Sequence, residues 1–325
     1  MATLPLSLAD YAAEPKPLVA GVVNILRKES KIMDILPFVD VGALSVKVYR
    51  EGSMPSISWR NIGADHSSAV ATKPTQITEN AFSIGNEVDV DKVYVKDKSA
   101  RLYDPRTYQQ AMVVKSIARN FTNAFINGVP SDLKNPTGLW YRVSNDLPAT
   151  QIINGNVDIS ADSGAVSVNT QTFIDALDAL LYSVTDNLDG GDSVYCVCND
   201  TTLMRINSLF RQSGLLDHTQ DTLGRVFLKY KGATFIDAGL KYDESTRIIT
   251  NAESGTALTG GGATSIYAFK TGKEFLTGWQ EYALEVSDWV LQSNQVTYKQ
   301  VIDWMVGIAI SHPRSVARLY GITAA

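Results

Sequence analysis

Residues 294–311 read NQVTYKQVIDWMVGIAIS. Val296, Tyr298, Ile302, Trp304, Val306, Ile308 and Ile310 all fall on even positions. Side chains of a strand alternate with period two, so one face receives all seven. Ordinary strands hold about 5–6 residues. About 18 residues at roughly 3.3 Å each would span about 60 Å. Such a chain is extended and flat, a shape suited to tiling more than to enclosing a substrate. A second β-patterned segment, 75–96, precedes it. There Ile84, Val88 and Val90 share one phase, and Val93 and Val95 share the other. The switch between Val90 and Val93 predicts a bulge or bend in one long strand.

The rest of the chain bounds the class. At 325 residues it holds two domains or one large elaborate one. Apolar residues make up 45% and charged residues 19%, the balance of a globular chain. A formal net charge of −5 opposes a dedicated nucleic-acid-binding domain, while leaving room for weak contact with DNA confined nearby. No signal peptide and no apolar run of bilayer length is legible, so the expected setting is cytoplasmic, with no membrane. With Cys196 and Cys198 as its two cysteines, the chain cannot build a disulfide framework.

Local patterns give the elements between the two long segments. Leu18, Val22 and Leu26, with Val19 and Val23, predict a helix over 17–36 that Pro37 ends. Residues 1–16 carry little pattern and read as an arm. Leu44, Val46 and Val48 alternate with polar residues, as do Ile57 and Trp59, across a Gly-containing connection. The expectation is a hairpin pairing those two runs. It offers few apolar residues for a local core. Asp104-Pro105 opens the clearest helix, with Val113, Ile117, Phe121 and Phe125 at four-residue spacing and Gly128 and Pro130 as the stop. Asn135-Pro136-Thr137-Gly138-Leu139 is a turn, and 144–167 reads as a polar loop with short strands. A denser α/β section follows: a helix through Phe173, Leu177, Leu180 and Val184; a strand at 193–198; a helix at 200–211; and a hairpin around Lys231-Gly232. Residues 239–263 form a long Gly-rich loop, and short strands are expected at 265–269 and 282–287.

No motif for catalysis or cofactor binding stands out. His66, His218 and His312 lack metal-ligand spacing. Cys196 and Cys198 sit two apart on a strand, among Val194, Tyr195 and Val197, and read as buried. The Asp186–Asp192 run departs from a calcium loop at Leu188. Gly260–Gly262 is not set between a strand and a helix, and Gly272-Lys273 lacks the rest of a phosphate loop. There is no Gly-x-Ser-x-Gly elbow. The expectation is therefore a protein that is not an enzyme, with no cofactor and no metal. Of the five tryptophans, Trp304 shares the buried phase of its strand. Trp59 reads as an interface residue, because its hairpin has so little core.

The order of these elements resembles the major capsid proteins of tailed bacteriophages, which share the Hong Kong 97-type fold. Residues 104–128 look like the family's spine helix. Asn135–Leu139 is similar to the Pro-x-Gly-Leu turn that often follows it, and 304–321, WMVGIAISHPRSVARLYG, looks like the closing strand and tail. The resemblance implies an α+β chain with four parts. These are an N-terminal arm at 1–40, an extended hairpin loop at 41–74, a peripheral domain at 75–140 and 291–325, and an axial α/β domain at 141–290. It implies a virion shell protein, assembled in the host cytoplasm. That protein would self-associate as pentamers and hexamers around double-stranded DNA. A portal, a separate scaffolding protein and a decoration protein are the expected partners. No proteolysed scaffolding segment is legible, so the chain is either already processed or served by that separate scaffold. Some relatives cross-link Lys to Asn. Lys47 and Lys73 lie in the loop, but nothing identifies an acceptor Asn or a catalytic acid. Lys47, Tyr49, Trp59, Arg60 and His66 in the loop, and Arg119 on a polar helix face, are the candidate interface residues. Encapsulin shells share the fold and are the nearest rival; an α/β-hydrolase-like enzyme is a remote one.

Overall fold

The computed structural model describes residues 17–50, 57, 59–65, 74–97, 104–132, 134–160, 166–185, 194–214, 217–220, 224–253, 263–293 and 295–324. The chain opens with α1 (Pro17–Glu29) and α2 (Lys31–Ile35), where the sequence predicts one helix. Ser30 makes the break. Its hydroxyl accepts the Met33 amide at 3.3 Å, capping α2, and meets Thr122 Oγ1 at 2.7 Å. These helices, read from the sequence as part of an arm, pack on their own chain. Val22, Val23, Leu26, Ile32, Met33 and Leu36 are buried in the chain's own main core. Burying six aliphatic side chains at about 25 cal/mol per Å² outweighs what a free arm gains from mobility. The rest of the predicted arm, residues 1–16, lies outside the described residues.

Next come β1 (Phe38–Asp40), β2 (Ser45–Arg50), β3 (Thr75–Asn80) and β4 (Phe82–Asp91). The predicted pairing of the Leu44–Val48 run with Ile57 and Trp59 is wrong. Strand β2 pairs antiparallel with β3, Ser45 opposite Asn80 and Arg50 opposite Thr75. Nor is 75–96 one strand. Ala81 separates β3, in the two-stranded sheet, from β4, in the long sheet. The phase switch after Val90 is no bulge: α3 (Lys92–Lys96) begins there, and Asp91 accepts the Val93 amide at 2.7 Å as its cap.

The predicted long helix is α4 (Pro105–Asn127), 23 residues with Pro at its start. Asp104 accepts the Arg106 amide at 2.9 Å. At its end, Gly138 donates its amide to Gly128 O at 2.8 Å, folding the Asn135–Leu139 turn back onto the helix. A Cβ on Gly128 would stand 2.0 Å from Pro136 O, so this close approach excludes every other residue. The turn runs into α5 (Leu139–Asn145), a helix that the sequence reading missed within its turn and loop. β5 (Ile152–Asp158) and α6 (Val166–Thr185) complete the stretch read as a loop followed by a helix.

The denser section follows its prediction, with one added strand, β7, that the sequence reading lacks. It comprises β6 (Val194–Cys198), α7 (Asp200–Ser213), β7 (Asp217–Gln220), β8 (Val226–Tyr230) and β9 (Ala233–Asp237). Strands β8 and β9 pair as the expected hairpin. Cys196 and Cys198 are fully buried, and burial pushes the Cys196 thiol up to about 12. Strands β10 (Ala263–Lys270), β11 (Leu276–Val286), β12 (Val290–Leu291), β13 (Thr297–Ile310) and β14 (Val316–Thr323) finish the chain. Strand β11 is 11 residues long, well beyond the short strand expected, because β1 flanks it on one edge and β13 on the other.

Two sheets organise everything. The long sheet joins β1, β11, β13 and β12, with β4 on the other edge of β13. Its even apolar phase is buried from Ile302 onward: Ile302, Trp304, Val306, Ile308 and Ile310 lie in one core with Phe38 and Phe121, whereas Val296, just before the strand, is exposed and Tyr298 is only partly buried. The second sheet runs β5-β14-β10-β6-β9-β8-β7 and buries a separate core under α6 and α7. The sequence-derived domain limits fail at two points. Strand β11 lies in the long sheet, although 141–290 was assigned to the axial part. Strand β14 lies in the seven-stranded sheet, although 291–325 was assigned to the peripheral part. The turn after Ile310 hands the chain from one sheet to the other.

Candidate assembly surface

The β2–β3 hairpin has a wet side and an anchored side. Lys47 and Tyr49 share the odd phase of β2 and are exposed. Val46 and Val48 share the even phase and pack on Trp279 and Ala309. Arg50 continues that inward phase and is buried, and Glu79 is buried on the facing strand. From α5, Arg142 grips Glu79 through both carboxylate oxygens, one of the bonds measuring 2.8 Å. Arg142 also donates to Thr137 O at 2.8 Å and Ile308 O at 3.2 Å. Arg50 donates from Nε to Ile310 O at 2.9 Å, while its Nη2 stands 4.0 Å from Glu79 Oε1. Burial, and then the Arg142 charge, push the Arg50 guanidinium down from its ordinary range, against the pull of Glu79 and Asp146.

One carboxylate therefore serves two buried guanidiniums at the root of the hairpin. Glu79→Ala is expected to cost about 3–5 kcal/mol, because both cations lose their counter-charge in a dry site. A thermal melt on the variant checks this, and an unchanged melting temperature would show the cluster to be energetically idle. The signal in the sequence is one of phase: Arg50 sits in phase with Val46 and Val48, and Glu79 in phase with Ile77, where a hairpin with one wet face has apolar residues.

Beyond Arg50 the chain presents apolar side chains to solvent. Ile57, Trp59 and Ile62 are 92%, 103% and 105% exposed. Of the three, Trp59 is the interface candidate that the sequence offers; Ile57 and Ile62 join it only in the structure. Arg60 donates to Ala64 O at 2.8 Å, closing a local turn. His66 lies outside the described residues. Arg119 is not gathered with the others. From α4 it binds Glu29 at 2.6 Å and Glu244 at 3.1 Å, tying α1 and the 240–247 turn to the long helix. The structure thus brings Lys47 and Tyr49 together on one strand face, with Trp59 and Arg60 on the segment after it, and sets Arg119 apart as an internal brace.

Among the described residues, no group of three or more His, Cys, Asp or Glu side chains is arranged to hold a metal ion. No helix among them is long and apolar enough to cross a membrane.

No family model matches the sequence, and no curated protein matches it. Solved structures do. The holo-SrpI encapsulin complex from Synechococcus elongatus is similar with a TM-score of 0.58 at 14% identity, over 100% of this chain and 92% of that one. The capsid of the native GTA particle gives 0.58 at 16% identity, over 90% of each chain. Mycobacterium phage Bobi gives 0.57 at 12% identity, over 89% of each chain. The fold is the Hong Kong 97-type capsid fold, α+β, as the sequence resemblance implies.

Proposed function

We propose that this chain is the major capsid protein of a tailed phage. Its work is self-assembly into an icosahedral shell around double-stranded DNA. The observation that carries the reading is the likeness of nearly the whole chain, not of one motif, to capsid subunits. A projecting segment with three bare apolar side chains fits it, since such surface costs solubility unless another subunit covers it. On this reading the protein catalyses nothing. Pentamers and hexamers form through the seven-stranded sheet and its loops, and the hairpin reaches over a neighbour. Each contact is small; repeated around every subunit, contacts burying apolar area at about 25 cal/mol per Å² close a stable shell. A portal at one vertex, a separate scaffolding protein and a decoration protein complete the proposed partners. Packaged DNA is touched non-specifically, and the location is the virion capsid, assembled in the host cytoplasm.

The second reading is an encapsulin-like nanocompartment, favoured by the likeness to the encapsulin complex over the full chain. Sedimentation and negative-stain microscopy of purified protein test the shared claim. Closed particles are expected, with or without an added scaffold; a species that stays monomeric under every assembly condition sinks both readings. Nuclease-protected DNA within particles isolated from their natural source separates them. It is expected here, and an enclosed enzyme without nucleic acid would favour the encapsulin.

A further inference from the structure

The backbone passes between the two halves of the molecule at one side only. It runs from α5 into β5, from β10 into β11 and from β13 into β14. In the seven-stranded order, β5, β14 and β10 are neighbours. The two later crossings lie side by side. Ser311 donates its amide to Phe275 O and Lys270 donates its amide to Ser315 O, each at 2.9 Å, and the Phe275 ring centre stands 6.2 Å from that of His312. They form one joint. Strands β9, β8 and β7, at the far side, carry no crossing. Neighbouring strands lie about 4.8 Å apart, so β8, three strands beyond β10, is roughly 14 Å from the joint.

At that far side the N-terminal helices make the tie. The Asp34 side chain of α2 is 7% exposed. Its Oδ2 accepts from Arg225 Nη2, immediately before β8, at 2.5 Å, and its Oδ1 accepts from Arg27 Nε of α1 at 2.6 Å. Arg225 also donates to Arg27 O at 3.3 Å. Two cations stand over the Phe227 ring of β8, with Lys31 Nζ and Arg225 Cζ each 5.6 Å from its centre. The same helices are fastened on the other half. Ser30 meets Thr122 of α4, Glu29 binds Arg119 of α4, and β1, the next strand, runs beside β11. A second arm runs from Arg119 to Glu244, in the turn after β9.

We infer that α1 and α2 act as a clasp that sets the angle between the two sheets. Covalent crossings on one side and ion pairs on the other are the arrangement of a hinge with a catch. Apolar faces tolerate sliding, whereas a carboxylate held by two guanidiniums fixes direction as well as distance. Releasing Asp34 lets the far edge of the seven-stranded sheet turn about the joint. The core under α6 and α7 stays whole, because no residue of α1 or α2 belongs to it. The clasp is a property of the single subunit and does not depend on the shell reading.

Nitroxide labels on Met204→Cys in α7 and Val301→Cys in β13 report the angle, read by double electron–electron resonance with labelled chains diluted in unlabelled protein. Met204 and Val301 are exposed, while native Cys196 and Cys198 are buried and take no label. The labelled chain with its clasp intact should give one narrow distance distribution. Adding Asp34→Ala should broaden it or bring in a second maximum, with circular dichroism unchanged. Lys231→Ala removes an exposed ion pair to Asp178, away from the clasp, and should leave the distribution narrow. The inference is overturned if Asp34→Ala matches the intact chain, if Lys231→Ala broadens the distribution equally, or if the intact chain is already broad. Should Asp34→Ala fail to fold, Arg225→Gln takes its place under the same outcomes, cutting the arm to β8 while Arg27 stays on Asp34.

Discussion

Phe121→Asp is expected to leave the subunit unable to fold, recovered only as aggregate. Phe121 is 1% exposed, at the centre of the aromatic cluster that joins α4 to the long sheet. Its ring lies 5.8 Å from Trp304, 6.2 Å from Phe38 and 6.3 Å from Phe125. Loss of the ring alone costs about 3–5 kcal/mol through transfer and cavity terms. The new carboxylate has no partner there and adds several kcal/mol more. The sum rivals the roughly 5–15 kcal/mol that hold a typical domain together. Soluble yield and a thermal melt measure the outcome. Phe121→Leu is the control: it keeps an apolar side chain and should fold with a lowered melting temperature. A wild-type melt from the Asp variant would mean the stripe on α4 is not buried.

The second large effect is on assembly. Replacing residues 51–73 with a short Gly-Ser link is expected to spare the subunit and prevent closed shells. Arg50 and Thr75 are directly opposed at the end of the β2–β3 ladder, so a short link can join them without distortion. Shortening a loop relieves chain entropy, and does not add to its cost. The root stays intact, because Arg50, Glu79 and Arg142 all lie outside the deletion. What goes is the segment bearing Ile57, Trp59 and Ile62. Circular dichroism should match wild type while electron microscopy shows capsomers, sheets or single subunits. Normal shells from the deletion would refute the role given to the segment, and a loss of folding would assign it to the subunit core.

The two variants probe surfaces of unequal legibility. Phe121 is legible from spacing alone, since a helix returns every 3.6 residues and Val113, Ile117, Phe121 and Phe125 form an apolar stripe. Trp59 was visible as an aromatic in a hairpin with little to cover it. Arg119 was read as an interface residue because it lies off the apolar stripe. Spacing cannot tell a solvated arginine from one that ties three elements of its own chain together. The Arg50–Glu79–Arg142 cluster draws on residues separated by as many as 92 positions, and no local window spans that distance.

By itself, the sequence determined whatever rests on near neighbours: the even face of β13, the Asp104-Pro105 start of α4 and its Gly128 stop, and the Lys231-Gly232 hairpin. Each follows from backbone geometry and capping within a few residues. Tertiary structure alone decided which strand pairs with which. Leu44–Val48 reads as half a hairpin, and Ile57–Trp59 is the nearest alternating run. Yet β2 pairs with β3, because that choice places Val48 on Trp279 and Glu79 on Arg142. Ser30 breaks a helix that its apolar spacing would continue, because Thr122 of α4 engages its hydroxyl. Strand β14 leaves the long sheet for the seven-stranded one because β5 and β10 bury both of its edges. Period and capping are local free energies; partner choice is a comparison of distant burials, and only the folded chain makes it.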